Sequence, residues 1–330
     1  MSYGPPNMVC PACENGVGRL LRRHSVEMAA EHFVPRDRDP QRHERLVRHL
    51  RNVLWKQDTV EIQQCPSCGF GFAVPWAGGD PEFYSLAHQG DPHYPTSRWE
   101  FGKTLYALRA FSKPLRLAEA GAGDGAFLDL LGDGYDVVAA DFDLGAVSRL
   151  RAKGYDALVG SLSDLAKRGD RPFDAICMFH TLEHMAGLDE IFALLRKLVK
   201  PGGSLFLSMP NAEATAFQEE VTGLWDMPPN HVGRWTPSAI KQASEGRGFV
   251  VADLRTEPIR TFATTWQLAV SSVNGRSYQP ATLERRINSI ASRPLRGVLK
   301  RILALARVPG LLAKRSAYRP LSCWAHLRRL

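Results

Sequence analysis

From Arg116 to Asn211 the chain repeats one pattern, a short apolar run closed by a glycine or acidic residue and followed by a longer stretch of mixed polarity. RLAEA, YDVVAAD, FDAICMF and GGSLFLSM are the apolar runs. They are too short for buried helices and read as strands covered on both faces, as in a parallel sheet. Strands are predicted at Leu117–Ala120, in the run ending at Asp141, at Asp156–Gly160, at Ala175–Phe179, in the run before Ser208–Asn211 and at Phe249–Leu254. The run TFATTWQLAVSSV, residues 261–273, fits a final strand or a helix. Strands separated by helical segments give an α/β class, a doubly wound and mostly parallel sheet with helices on both faces.

Chemistry enters at the strand ends. After Leu117–Ala120, the glycines Gly121, Gly123 and Gly125 let the chain turn tightly into a helix predicted to begin near Ala126, with backbone amides free to meet a ligand. Asp141 ends the next strand, where a carboxylate can accept from both ribose hydroxyls, so the pair forms a nucleoside clamp. Glu119 and Asp124 would repel a pyrophosphate, which disfavours a dinucleotide. S-adenosylmethionine fits better: its ammonium can pair with carboxylates, and its carboxylate can meet amides at a helix start.

On these motifs the segment from about residue 100 to 255 resembles the class I S-adenosylmethionine-dependent methyltransferases, and within them a bacterial branch that modifies sugars and other small metabolites. The resemblance implies a seven-stranded, Rossmann-like sheet. Glu119, Gly121, Gly123 and Gly125 would line the methionine moiety and Asp141 would hold the ribose, with Phe142, Phe179 and His180 bordering the cofactor. Ser161 and Leu162 stand where many relatives carry an acid for the adenine amine, so backbone groups near Ser161 are expected to serve there.

Cys10 and Cys13 form CPAC, and Cys65 and Cys68 form CPSC. Two such knuckles complete a closed tetrahedral zinc site, predicted as a structural zinc ribbon. Neither pair opens a βαβ helix, which counts against a redox role. The long interval between knuckles is read as a helical excursion with Leu46, Leu50, Val53 and Leu54 on one face, and His24, His32, His43 and His49 as surface residues. Phe83, Tyr84, His93 and Tyr94 follow, as linker packing or as a lid over the site.

Ligands of open α/β sheets bind beyond the carboxyl ends of strands, which points to the His180–His184 segment. A second candidate is the PPNHVGRWT loop past Ser208–Asn211, where this fold usually builds its acceptor pocket. His231 is the expected base, with His184 and Tyr84 as further catalytic candidates. Asn211, Asn230, Arg234 and Trp235 are expected to contact the acceptor, while Thr236 caps a helix from Pro237. That set suits a polar acceptor, such as a sugar, a nucleotide-linked sugar or an envelope glycan precursor.

Length and charge complete the picture. A chain of 330 residues with 44% hydrophobic content can bury a full core. Neither a secretory signal nor a run of 18 apolar residues is present, so a cytoplasmic protein is expected. From Arg285 onward there are ten arginines, two lysines and no acid, which makes the net charge of +8 a property of this tail. Leu295, Val298, Leu299, Ile302 and Ala306 recur there at helical spacing. Such a helix either lies on an anionic membrane surface or packs its stripe on the protein. Nucleic acid is the lesser partner, because stacking aromatics are sparse in the tail and SMPN replaces the NPPY-like motif. A zinc-bearing RNA methyltransferase and a noncatalytic binding module remain as alternatives. Three pieces are expected: a zinc segment over 1–80, a catalytic domain over 81–260 and a basic, largely helical extension over 261–330.

Overall fold

The computed structural model describes residues 8–87, 95–169, 171–222, 227–276, 279 and 281–330. Its first part holds β1 (Arg19–Ser25), α1 (Val26–Phe33), α2 (Pro40–His49), β2 (Thr59–Gln64), β3 (Gly71–Val74) and α3 (Pro81–Ala87). The central part holds α4 (Trp99–Leu108), β4 (Leu115–Ala120), β5 (Tyr135–Asp141), α5 (Leu144–Ala152), β6 (Asp156–Val159), α6 (Leu162–Lys167), β7 (Phe173–Phe179), α7 (Leu188–Leu198) and β8 (Val199–Pro210). It continues through α8 (Ala212–Thr222), β9 (Gly233–Arg234), α9 (Pro237–Glu245) and β10 (Phe249–Thr256). Last come α10 (Thr261–Arg276), α11 (Leu283–Asn288), α12 (Arg293–Ala313) and β11 (Ser322–Arg329).

The large sheet has seven strands in the order β10-β11-β8-β7-β4-β5-β6. β4, β5, β6, β7 and β8 pair in parallel. The chain winds outward from β4 through β5 to β6, then returns to β7 on the other side of β4. That reversal opens a crevice at the carboxyl ends of β4 and β7, the place where such sheets take ligands. The α/β class read from the sequence is therefore the observed one. Helices cover the sheet through apolar stripes; α7, for instance, buries Leu188, Ile191, Phe192, Leu195 and Leu198.

One sequence expectation needs correction and two are refined. No α-helix follows the glycine turn: only a single 3-10 turn, Leu128–Leu130, forms before the chain reaches β5. Gly132 and Gly134 lie just beyond and leave no room for a longer helix. Residues 261–273 are helical, as part of α10. The segment after residue 260 is largely helical, and it also supplies β11, which inserts between β8 and β10, antiparallel to both. Trp324 on β11 is buried beside Phe206, and its indole nitrogen donates to Thr104 Oγ1 at 2.8 Å.

The smaller sheet, β1-β2-β3-β9, joins the amino-terminal part to the loop after α8. β9 pairs with β3 through Gly71–Arg234 and Phe72–Gly233. The helical excursion forms α1, α2 and a following π turn, burying Leu46 and Leu50 but leaving Val53 half exposed. Three of its histidines are not on the surface as expected. His24, His43 and His49 are buried, with His43 Nδ1 2.7 Å from the Val34 carbonyl and His49 Nε2 2.8 Å from Asp80. The four cysteines share one hydrophobic cluster with Ile176, Leu207 and Phe249 of the large sheet, so the two parts bury a continuous core.

Candidate active site

The glycine turn sits where β4 ends. Gly121, Gly123 and Gly125 all adopt positive φ, of 77°, 52° and 80°. Only glycine takes such a run of angles without strain. A side chain at Gly121 would stand 2.4 Å from Thr181 Oγ1, and one at Gly125 would stand 2.6 Å from Leu150. Across the crevice, Asp141 Oδ2 accepts from the Gly123 amide and Oδ1 from the Asp143 amide, each at 2.8 Å. The acid and the turn thus hold each other in place.

Glu119 lies beneath this turn at 3% exposure, and its Oε2 meets no donor. Burial, and then the charges of Asp141 and Asp129, push its carboxyl well above the usual range. A buried carboxyl with an unmet acceptor beside a second acid fits a cationic ligand. The ammonium and sulfonium of S-adenosylmethionine supply that charge, so the residues present fit this cofactor.

The other cofactor residues expected from the sequence are placed as follows. Phe142 is 67% exposed at the β5 end and open to a ligand. Ser161 caps α6 in a capping box with Asp164, which accepts from both the Ser161 amide and hydroxyl. Its side chain is therefore committed to the helix start. Phe179 is packed against Phe101 and Phe127 under the crevice, a floor residue and not a wall.

Beyond β7 the chain builds a second polar group. His180 takes a left-handed φ of 51° and sits between two buried acids, with Nε2 3.0 Å from Glu100 and Nδ1 3.5 Å from Glu183. Burial opposes charge on His180, but these two carboxylates outweigh it and raise its pKa. Glu183 is 1% exposed and neither of its oxygens has a hydrogen-bond partner. Burial drives it toward neutrality, yet His180 first and then His184 and His231 hold its carboxyl below the usual range.

His184 Nδ1 lies 2.7 Å from the Asn230 carbonyl, and its ring meets that of His231 edge-on at 4.6 Å. Burial, and then the His231 charge, keep its pKa at about 4, so it is neutral at physiological pH. With Nδ1–H bonded to the carbonyl, Nε2 keeps a lone pair. Glu183, His184 and His231 each offer an atom within 4.8 Å of the others. Tyr84 packs edge-on against Phe83 at 5.1 Å, and burial first, then the Glu183 charge, push its phenol above its ordinary value. The structure thus brings His184 and His231 together with Glu183. His93 and Tyr94 lie outside the described residues. Glu100 and Glu183 were missed, although Glu183 stands between two of the histidines considered.

The expected acceptor contacts fare differently. Asn211 is fully buried and closes a turn, donating to the Pro320 carbonyl and accepting from the Glu213 amide. Arg234 is paired with buried Glu219 at 2.9 Å, and Glu219 also takes Arg22. Trp235 is 1% exposed and packed on Phe70. These three hold the loop in place and do not face an acceptor. Asn230 contributes its carbonyl to His184. Thr236 caps α9 as expected, accepting from the Ala239 amide.

The cysteine cluster is compact. Sγ separations are 3.6 Å for Cys10–Cys68 and for Cys13–Cys65, with all four thiols buried and unbridged. Four sulfurs around zinc at about 2.3 Å would lie ~3.8 Å apart, so the donor set fits that metal. Arg247 straps the first knuckle to the large sheet, donating to the Pro11 and Ala12 carbonyls, to Glu14 and to Asp189. Thr236 Oγ1 donates to the Cys68 carbonyl at 2.6 Å and straps the second.

Residues 97–254 match the sequence profile of a methyltransferase domain. That segment is a methyltransferase domain. The methyltransferase is 28% identical over 190 residues to a ubiquinone biosynthesis O-methyltransferase of Xanthomonas campestris pv. campestris, covering 56% of this chain and 74% of that one. The protein of the same name from Xylella fastidiosa is 28% identical over 207 residues, covering 58% and 77%. Among solved structures, a SAM-dependent methyltransferase from Archaeoglobus fulgidus aligns with 69% of this chain and 92% of its own, at 15% identity and a TM-score of 0.46.

Proposed function

We propose that this methyltransferase acts on a hydroxyl oxygen of a small polar acceptor, and that His231 removes the hydroxyl proton. The observation that carries this reading is the convergence of His231, His184 and Glu183 beside the glycine turn, with Glu183 buried and its oxygens unmatched. Bound S-adenosylmethionine supplies a methyl group on a sulfonium that already leaves readily. The protein's work is to align the acceptor, exclude water and take a proton.

In this reading the acidic pair Glu119 and Asp141 holds the cofactor's cationic and ribose ends. Glu183 lies among the imidazoles and stabilises the positive charge that appears when His231 is protonated, as the acid of a catalytic triad does. Neutral His184, fixed by the Asn230 carbonyl, keeps the His231 ring edge-on. A methylated oxygen is supported by the O-methyltransferase relatives. With Asn211, Arg234 and Trp235 engaged inside the protein, only Asn230 remains of the residues first expected to bind a sugar. The four cysteines hold a structural zinc, with no position open for catalysis.

The test is methyl transfer from labelled S-adenosylmethionine to a catechol and to a nucleotide-linked hexose, with S-adenosylhomocysteine affinity measured in parallel. His231→Ala and Glu183→Gln are each expected to lower kcat by about 100-fold while leaving that affinity within about threefold. Full kcat in His231→Ala would exclude it as the base.

A further inference from the structure

The sequence left two readings for the basic tail, packing or a membrane surface, and α12 divides between them. Its inward face buries Ala304 and Leu311 in a cluster with Leu268 and Val273 of α10. Two of its cations are used on that side: Lys300 donates to Asn274 Oδ1 at 3.2 Å, and Arg307 reaches Ser272 and Glu284. The opposite face presents Leu295, Val298, Ile302 and Leu305, each between 51% and 59% exposed. Steps of three, four and three residues place these four on one stripe of the helix.

We propose that this outward stripe docks on an anionic phospholipid surface. Arg293 and Arg301 are exposed on the same helix and Arg286 is exposed on α11. From Arg285 to Leu330 there is no acid to offset them. A second copy of the chain is a poorer occupant. A two-fold contact through the stripe would set arginine against arginine, with no carboxylate from either tail to pair them. Lipid phosphates provide the missing charge and acyl chains receive the leucines. No helix among the described residues is long and apolar enough to cross a membrane, so α12 lies in the interface plane.

The test is co-sedimentation of the full chain with vesicles of phosphatidylcholine alone and of phosphatidylcholine with about one third phosphatidylglycerol. Binding is expected to the anionic vesicles, falling as salt rises, and to be at least about tenfold weaker for the double variant Val298→Asp/Ile302→Asp. These positions face solvent, and unchanged circular dichroism and S-adenosylhomocysteine binding would show that the variant is folded. Absence of wild-type binding, equal binding to both vesicle types, or full binding by the variant would overturn the proposal. So would a wild-type dimer in light scattering that the variant dissociates, which would assign the stripe to a second copy. None of these readouts depends on methyl transfer, so the assignment of the base stands or falls separately.

Discussion

Glu119 shows how one side chain can couple ligand binding to protons. Burial and the neighbouring acids push its carboxyl toward the neutral form, whereas a cation beside it favours the ionised form. Binding of S-adenosylmethionine is therefore expected to release a proton and to strengthen as pH rises. Titration calorimetry in buffers of different ionisation enthalpy reads that proton, and Glu119→Gln should abolish its release. On the proposed cofactor site Asp141 serves the other end of the ligand, and Asp141→Ala should weaken S-adenosylhomocysteine binding by about tenfold or more, since it removes the proposed ribose acceptor and the bond that shapes the Gly123 turn. Both acids could be read in advance because a strand end fixes where its last side chains point. Arg234 and Trp235 could not. Their partners Glu219, Arg22 and Phe70 are set by folding of distant segments, and nothing local to PPNHVGRWT distinguishes an arginine that meets a ligand from one that meets a buried acid.

At the scale of elements, the loop that carries His231 hangs from the amino-terminal sheet. β9 pairs with β3, the Ala73 amide donates to the Val232 carbonyl and the Gly79 amide to the Pro229 carbonyl, each at 3.0 Å. β3 in turn follows the second cysteine knuckle by a few residues. Removing the zinc proposed for the four cysteines should therefore do more than loosen the amino terminus. Chelation, or Cys65→Ser, is expected to lower Tm by roughly 5 °C or more and to lower kcat by a larger factor than it weakens S-adenosylhomocysteine binding. Thermal melts and metal analysis check the first outcome and assays of the same samples the second. Apolar runs made most of the parallel strands legible in the sequence. The missing helix after the glycine turn was not, because glycine marks both the turn into a helix and the stop that prevents one. β11 was hidden for another reason: SCWAHLRR is basic, and its partners lie far away along the chain.

For the whole molecule, the two sheets share a core and the large sheet is closed from within by β11. Trp324→Ala should destabilise the chain by about 3–5 kcal/mol, the cost of deleting a large buried aromatic, as measured by chemical denaturation. The position of β11 also sets an order of assembly. β8 and β10 are both synthesised before it; β8 then lacks a hydrogen-bonding neighbour along one edge, and β10 has no strand neighbour at all. An unpaired apolar edge invites pairing with other chains. While the ribosome is still making residues 257–321, the nascent sheet is split in two, with β10 detached from β8. Completion of the cofactor-binding layer waits on a strand that the ribosome delivers after all six of the others, so a stall within α12 would leave a chain bearing every cofactor-site residue and an open wound in its sheet.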